Sequence, residues 1–321
     1  MTRSGIFALC LALLATGTGW GQTFPAKPVH IIVPFPPGGP SDFAARSLSQ
    51  HLPQFLGQPV NVENRTGGAG FVGTDYVAKS PPDGHTLLVT TVGVMVIAPY
   101  LFPSLPYDPF KDFAPITNLV SGPAVLLVHP SVPVASVKEL IALARAKPGF
   151  LTYGSTGLGQ ISHLNGELFK LLAGVDILHV PYKGAAPLLP ELLSGQIATH
   201  FGATVDGLAY VRAGRLRALA VTSLKRLSTM PDVPTMDEAG LKGYDVANWN
   251  GLWAPAKTPR EIVERINRDV AKAMAFADVR ERIAAQGNLI AVDTPEAFTA
   301  FIGQEAAKWS KVIRDARIKL D

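Results

Sequence analysis

Val29-His30-Ile31-Ile32-Val33-Pro34-Phe35-Pro36-Pro37-Gly38-Gly39-Pro40-Ser41-Asp42 sets the pattern that the rest of the chain repeats. The first five residues are apolar and β-branched apart from His30, which predicts a strand buried on both faces. Pro34 ends that strand, because proline has no N–H to give to a sheet. The Pro- and Gly-rich loop that follows leads to Ser41-Asp42, a predicted cap for a helix through Phe43-Ala44-Ala45-Arg46-Ser47-Leu48.

Downstream, Pro59-Val60-Asn61-Val62-Glu63 predicts a second strand, then a glycine-rich turn and a helix over 73–79. Asp83-Gly84 turns into a strand at Thr86-Leu87-Leu88-Val89-Thr90-Thr91. This strand–helix–strand rhythm predicts an α/β fold with mainly parallel sheets covered by helices. A long extended segment over 113–128 separates it from a second α/β set. In that set Ser136-Val137-Lys138-Glu139 reads as a capping box and Pro148-Gly149 as a helix stop. Strands are predicted at Leu151-Thr152-Tyr153, Ile177-Leu178-His179-Val180, after Gly195-Gln196-Ile197, and at Leu216-Arg217-Ala218-Leu219-Ala220-Val221. Residues 244–255 are again extended. Thr258-Pro259 and Thr294-Pro295 each predict a helix start with proline in the first turn. The two extended segments are expected to cross between two lobes near 120–125 and 245–250. The expected division is 1–21 as a signal peptide, 22–122 plus 249–321 as one lobe, and 123–248 as the other. The competing pattern is one large doubly wound sheet.

At 321 residues, with 47% apolar and 17% charged residues, the chain has ample core material for two lobes. Arg3 followed by the ten-residue apolar run Ile6-Phe7-Ala8-Leu9-Cys10-Leu11-Ala12-Leu13-Leu14-Ala15 reads as a secretory signal. The run is too short to cross a hydrocarbon core of roughly 30 Å. Gly19-Trp20-Gly21 offers a cleavage site before Gln22. Cys10 is the single cysteine. The mature chain is therefore expected to be free of disulfides and thiolates, which suits a Gram-negative periplasm. The net charge of +4 is scattered except for Lys308, Lys311, Arg314, Arg317 and Lys319, whose helical spacing reads as a solvated face and not a nucleic-acid site.

Three loops follow a strand and precede a helix: 36–42, 90–94 and 154–160. In open α/β sheets such loops line the ligand crevice. Glycines allow close backbone approach, and a helix N-terminus favours an anion. Ser41, Ser155 and Thr156 add hydroxyl donors. A carboxylate or phosphate is the natural guest. Gly68-Ala69-Gly70-Phe71-Val72-Gly73 matches G-x-G-x-x-G, but it follows the second strand and no acidic residue ends the next one, so no cofactor is expected. Tyr153-Gly154-Ser155-Thr156-Gly157 departs from a nucleophile elbow by its tyrosine. An esterase using Ser155, with His163 as base, is the rival reading. The histidines show no metal-ligand spacing.

The run Ile31-Ile32-Val33-Pro34-Phe35-Pro36-Pro37-Gly38-Gly39-Pro40-Ser41-Asp42 closely resembles the start of the tripartite tricarboxylate transporter receptors, or Bug-type solute-binding proteins. Val62-Glu63-Asn64-Arg65-Thr66-Gly67-Gly68-Ala69-Gly70, Leu126-Leu127-Val128-His129-Pro130, Tyr153-Gly154-Ser155-Thr156-Gly157 and Val180-Pro181-Tyr182-Lys183-Gly184 extend the resemblance. So do Gly214-Arg215-Leu216-Arg217-Ala218-Leu219-Ala220-Val221-Thr222-Ser223 and Trp249-Asn250-Gly251-Leu252-Trp253-Ala254-Pro255. It implies a two-lobed periplasmic binding protein of type II-like form, each lobe a mostly parallel sheet flanked by helices, joined by two crossing segments. It also implies a non-enzymatic, monomeric receptor that takes a small carboxylate to membrane transporter components, or a sensor not coupled to transport. Carried over by resemblance, the ligand-binding residues are Pro37, Gly38, Gly39, Ser41, Asp42, Ser155, Thr156, Gly157 and Gln160, with Thr91 and Tyr182 as further candidates. Asp42 is expected to orient its loop, since a bare carboxylate repels an anion. Many relatives carry Met-Phe-Asp where this chain has His200-Phe201-Gly202. The loss of that carboxylate points to an amine-free ligand: a di- or tricarboxylate, or an aromatic acid.

Overall fold

A computed structural model describes residues 24–318, so the expected signal segment and Cys10 lie outside the described residues. β1 (Val29–Val33) pairs in parallel with β2 (Val60–Asn64) and β3 (Thr86–Thr91), Ile31 standing opposite both Val62 and Leu87. α1 (Pro40–Ser49), α2 (Pro53–Leu56) and α3 (Phe71–Ala78) fill the connections. After β3 come a π-helical turn (Gly93–Ile97) and α4 (Ala98–Leu101).

β4 (Phe113–Val128) is a 16-residue strand, roughly 50 Å of chain. It is long because it belongs to two sheets. Residues 113–123 pair antiparallel with β9 (Ala247–Pro255), which itself pairs antiparallel with β3. From Ala124 to Val128 the partners become β7 (Thr199–Ala203) and β8 (Arg217–Val221). β7 continues in parallel to β5 (Thr152–Ser155), and β5 to β6 (Leu178–Pro181). α5 (Val137–Ala146), α6 (Ile161–Ala173), α7 (Ala185–Ser194) and α8 (Thr204–Arg212) cover this second sheet. The chain returns along β9 and closes with α9 (Arg260–Met274), α10 (Ala277–Ala285), β10 (Leu289–Ile290) and α11 (Pro295–Asp315). The architecture is thus α/β and two-lobed. The flanks of both sheets are parallel. The strands nearest the crossing are antiparallel, because β4 and β9 run in opposite directions through the waist.

Two caps differ from expectation. α1 starts at Pro40 with Gly39 as its cap, and α9 starts at Arg260 with Pro259 as its cap. Pro40 sets the first helical φ of α1, Pro259 is itself the extended cap of α9, and neither helix has a side-chain cap. Ser136 and Thr294 do cap, accepting from the N–H of Glu139 and Ala297. The glycines at 70 and 73 serve packing. A Cβ on Gly73 would lie 2.5 Å from the Arg65 carbonyl oxygen, and one on Gly70 would lie 3.0 Å from Val94.

One apolar cluster runs behind both sheets, joining Leu88, Val96 and Trp253 to Leu126, Phe169 and Phe201. Tyr153 is fully buried in it, and α6 approaches so closely that a Cβ on Gly166 would lie 2.1 Å from its ring. Gly166→Ala should therefore destabilise the protein by about 1–3 kcal/mol, read as a lower denaturant midpoint at unchanged slope.

Candidate functional site

α1 begins at the carboxyl end of β1, and α6 begins at the carboxyl end of β5. Each helix start leaves backbone N–H groups without an intrahelical acceptor, backed by the positive end of its dipole. β3 ends beside β1, which brings Thr91 to the same edge.

In the first loop, Pro37 and Gly38 are exposed and Gly39 is half-buried. Gly38 has φ +83° and nothing within 4 Å of a would-be Cβ, so it faces open space in a conformation that favours glycine. Asp42 lies beneath the loop, 3% exposed, and points inward. Its Oδ2 accepts from the Gly38 N–H at 2.9 Å and from Arg46 Nε at 2.9 Å, and its Oδ1 accepts from Asn64 Nδ2 at 2.9 Å. Burial pushes the Asp42 carboxyl up, but the donors from Arg46, Gly38 and Asn64 outweigh it and hold the pKa below the ordinary value. Asn64 also donates to the Phe35 carbonyl at 3.0 Å. Ser41 donates its hydroxyl to Asn250 Oδ1 on β9 at 2.5 Å, and Asn250 stands opposite Thr91 in the sheet. The Thr91 hydroxyl is buried and has no hydrogen-bond partner among the described residues. An orphaned hydroxyl at the mouth of a crevice is a donor in search of an acceptor.

The second loop is held from behind. Ser155 is fully buried, and its hydroxyl lies 2.7 Å from His179 Nε2 and 3.2 Å from the Gly157 carbonyl. His163, the base of the rival esterase reading, does not reach Ser155. It accepts the Gly159 N–H at 3.2 Å and stacks on His179 at 4.1 Å. Burial pushes both imidazoles down to about 4, so they are neutral. Thr156 bonds through both its N–H and its hydroxyl to Ser162 Oγ, each at 2.9 Å. Gly157 has φ +143°, and a Cβ there would touch the Tyr182 carbonyl oxygen at 3.4 Å. Tyr182 gives its hydroxyl to Glu191 and its N–H to the Ser155 carbonyl, so it braces the loop from outside. Burial and the neighbouring Glu191 push the Tyr182 phenol up to about 12. Gln160 caps α6 and reaches across to the first lobe. Its Nε2 lies 3.4 Å from the Ala69 carbonyl, and its Oε1 would be 2.8 Å from a Cβ on Gly93.

Thr91 thus stands at the sheet edge beside the first loop, and Gln160 carries the second loop to Ala69 and Gly93. The hydroxyls of Ser41, Ser155, Thr156 and Tyr182 are spent on internal bonds. Sequence reading missed Asn64, Asn250, Ser162 and His179. Their partners lie 6 to 209 positions away, and only the fold joins them.

Over residues 44–318 the chain matches the family described as the tripartite tricarboxylate transporter family receptor. The chain belongs to that family. Among curated relatives of this tricarboxylate-receptor family, the BugT protein of Bordetella pertussis is 38% identical over 317 residues, covering 98% of this chain and 97% of that protein. A solved structure titled as R. palustris Rpa4515 with adipate superposes with a TM-score of 0.87 at 36% identity, over 92% of this chain and 99% of that one. MatC from Rhodopseudomonas palustris, with bound malate, gives 0.84 at 34% identity, over 90% and 100% of the two chains. The receptor fold and the solute-binding family are therefore established for this chain. Among the described residues no helix is long and apolar enough to cross a membrane, and no group of three or more His, Cys, Asp or Glu side chains is arranged to hold a metal.

Proposed function

We propose that this chain is an exported, periplasmic solute-binding receptor that captures a small dicarboxylate between its lobes and hands it to membrane components of a tripartite tricarboxylate transporter. The observation that carries the reading is the pair of glycine-rich helix starts, α1 and α6, each at the carboxyl end of its strand, with the unpartnered Thr91 hydroxyl beside the first and Gln160 of the second reaching to Ala69. Backbone N–H groups at two helix starts suit a carboxylate oxygen better than any neutral or cationic group. The kinship with proteins solved with adipate and malate supports a dicarboxylate without an amine. The chemistry of the loops leaves room for tricarboxylates and aromatic acids in the same class. Residues 1–21 act as the export signal, 22–122 plus 249–321 as one lobe and 123–248 as the other, with β4 and β9 as the hinge strands. The mature protein works as a monomer.

Each loop then has a division of labour. Gly38, Gly39, Thr91, Gly157 and Gln160 face the ligand, and Ser41, its hydroxyl held by Asn250, offers only its backbone N–H. Pro37 stiffens the first lip, while Asp42, Ser155, Thr156 and Tyr182 hold the two loops in shape. The burial of Ser155 favours a receptor over an esterase, because a nucleophile must reach its substrate. A thermal-shift screen of the mature chain against mono-, di- and tricarboxylates, aromatic acids and amino acids tests the reading. A ligand at 100 times its Kd adds about 2.7 kcal/mol, an increase of several degrees in Tm. Adipate or malate should give that shift and leave the pool chemically unchanged. Turnover of an ester that disappears in Ser155→Ala would replace the receptor with an enzyme.

A further inference from the structure

β7 carries His200 and Gly202 on one face, and α8 follows at its carboxyl end, level with the loop 156–160 that follows the neighbouring parallel strand β5. The His200 ring fills the space beside Gly202: a Cβ there would lie 2.7 Å from it. His200 is fully buried, and its Nδ1 lies 2.9 Å from the Gly154 carbonyl oxygen. A carbonyl can only accept, so Nδ1 carries the hydrogen. That leaves Nε2 buried with no hydrogen-bond partner. The nearest charged atom is Asp206 Oδ2, 4.0 Å away, in the first turn of α8. Asp206 is 12% exposed and accepts the Ala203 N–H at 3.1 Å. A buried lone pair on nitrogen facing a carboxylate is unfavourable, and one added proton resolves it from either side. As carboxylic acid with imidazole, or as carboxylate with imidazolium, the pair is then neutral.

We propose that the His200–Asp206 pair takes up a proton as a dianionic ligand enters the cleft, which makes Asp206 the residue that ties the affinity for doubly charged guests to pH. This rests on the receptor reading given above. Burial supports it, pushing Asp206 up to about 6 and His200 down to about 4. Other ionisable groups nearby are engaged elsewhere. Glu191 on α7 binds Tyr182, Arg217 on β8 binds the carbonyls of Val132 and Val134, and Arg215 covers Tyr210 of α8. Arg212 lies at the far end of α8. His163, Glu167 and Lys170 of α6, with Tyr153 of β5, lie on the opposite face with Phe201. Without the proton, the Asp206 charge would repel an incoming dianion.

The test uses titration calorimetry with adipate and malate at pH 6.5, in two buffers of different ionisation enthalpy, for the wild type and Asp206→Asn. The asparagine removes the charge and keeps an oxygen to accept the Ala203 N–H. The wild type should take up a substantial fraction of a proton per ligand and bind about three- to fivefold more weakly at pH 8 than at pH 5.5. Asp206→Asn should show neither effect. Binding without proton uptake, or uptake that persists in the variant, overturns the proposal and leaves the receptor reading standing. If neither acid binds, the dicarboxylate reading fails, and the pair is judged on the ligand-free protein. The folded pKa of Asp206 lies above its unfolded value, so its share of stability falls as pH rises through about 4 to 6, while the His200 share, with its folded pKa below the unfolded value, rises over the same range. The difference between wild type and Asp206→Asn isolates the first. Asp206→Asn, lacking that loss, should melt higher than wild type at pH 7.5. An equal or lower Tm there overturns the proposal without reference to any ligand.

Discussion

Gly38→Val should reduce dicarboxylate affinity at least about 100-fold while the protein stays folded. The backbone at Gly38 has φ +83°, and a side chain there would project into unoccupied space. On the proposed reading, that space is where a carboxylate approaches the helix start of α1. Valine blocks the approach, and its strain at positive φ, about 1–2 kcal/mol, falls on an exposed loop outside the core. A Tm within several degrees of wild type, with no detectable heat from adipate or malate, is the expected result. Affinity retained within a factor of three would mean that the ligand does not use this lip.

Asp42→Ala should be costly in a different way. The carboxylate is buried and gathers donors from Gly38, Arg46 and Asn64. Its removal leaves the Asn64 amide and the Gly38 N–H without their acceptor, a loss of about 2–4 kcal/mol, and frees the loop. Stability and ligand affinity should fall together, in contrast to Gly38→Val, where affinity alone collapses. The pH dependence has a definite sign. The folded pKa of Asp42 is depressed, so its contribution is present above the unfolded value near 4 and is lost as pH falls through the folded pKa. In acid the wild type should lose stability more steeply than Asp42→Ala. Parallel Tm curves for the two proteins between pH 2 and pH 5 would contradict the assignment of this carboxylate as the loop's anchor.

The α/β rhythm, the 113–128 crossing strand and the helix starts at Ser136 and Thr294 were legible in sequence. Each rests on local chemistry: β-branched runs, proline geometry and hydroxyl caps. The antiparallel pairing of β3, β9 and β4 was not, because strand direction across the waist depends on where the chain returns. The caps read as Ser41-Asp42 and Thr258 fell to Gly39, ahead of Pro40, and to Pro259. Ser41 is drawn instead to Asn250, 209 positions away. The two glycine-rich loops before α1 and α6 were legible, but side-chain direction within them was not. Ser155, Thr156 and Tyr182 carry the right donor groups, yet His179, Ser162 and Glu191 claim them from neighbouring elements. Asp42 shows the opposite case. Charge logic alone assigned it to loop support, and three donors to its carboxylate are what that role requires.

The most direct test of the central claim is a crystal structure of the mature chain soaked with adipate. The account predicts a carboxylate within hydrogen-bond distance of backbone N–H groups in residues 38–42 and in residues 156–161, with the Thr91 hydroxyl turned toward an oxygen. An adipate bound elsewhere, such as the polar pocket lined by His163, Lys170, His179 and Arg317, or a cleft that stays empty at saturating ligand, would contradict it.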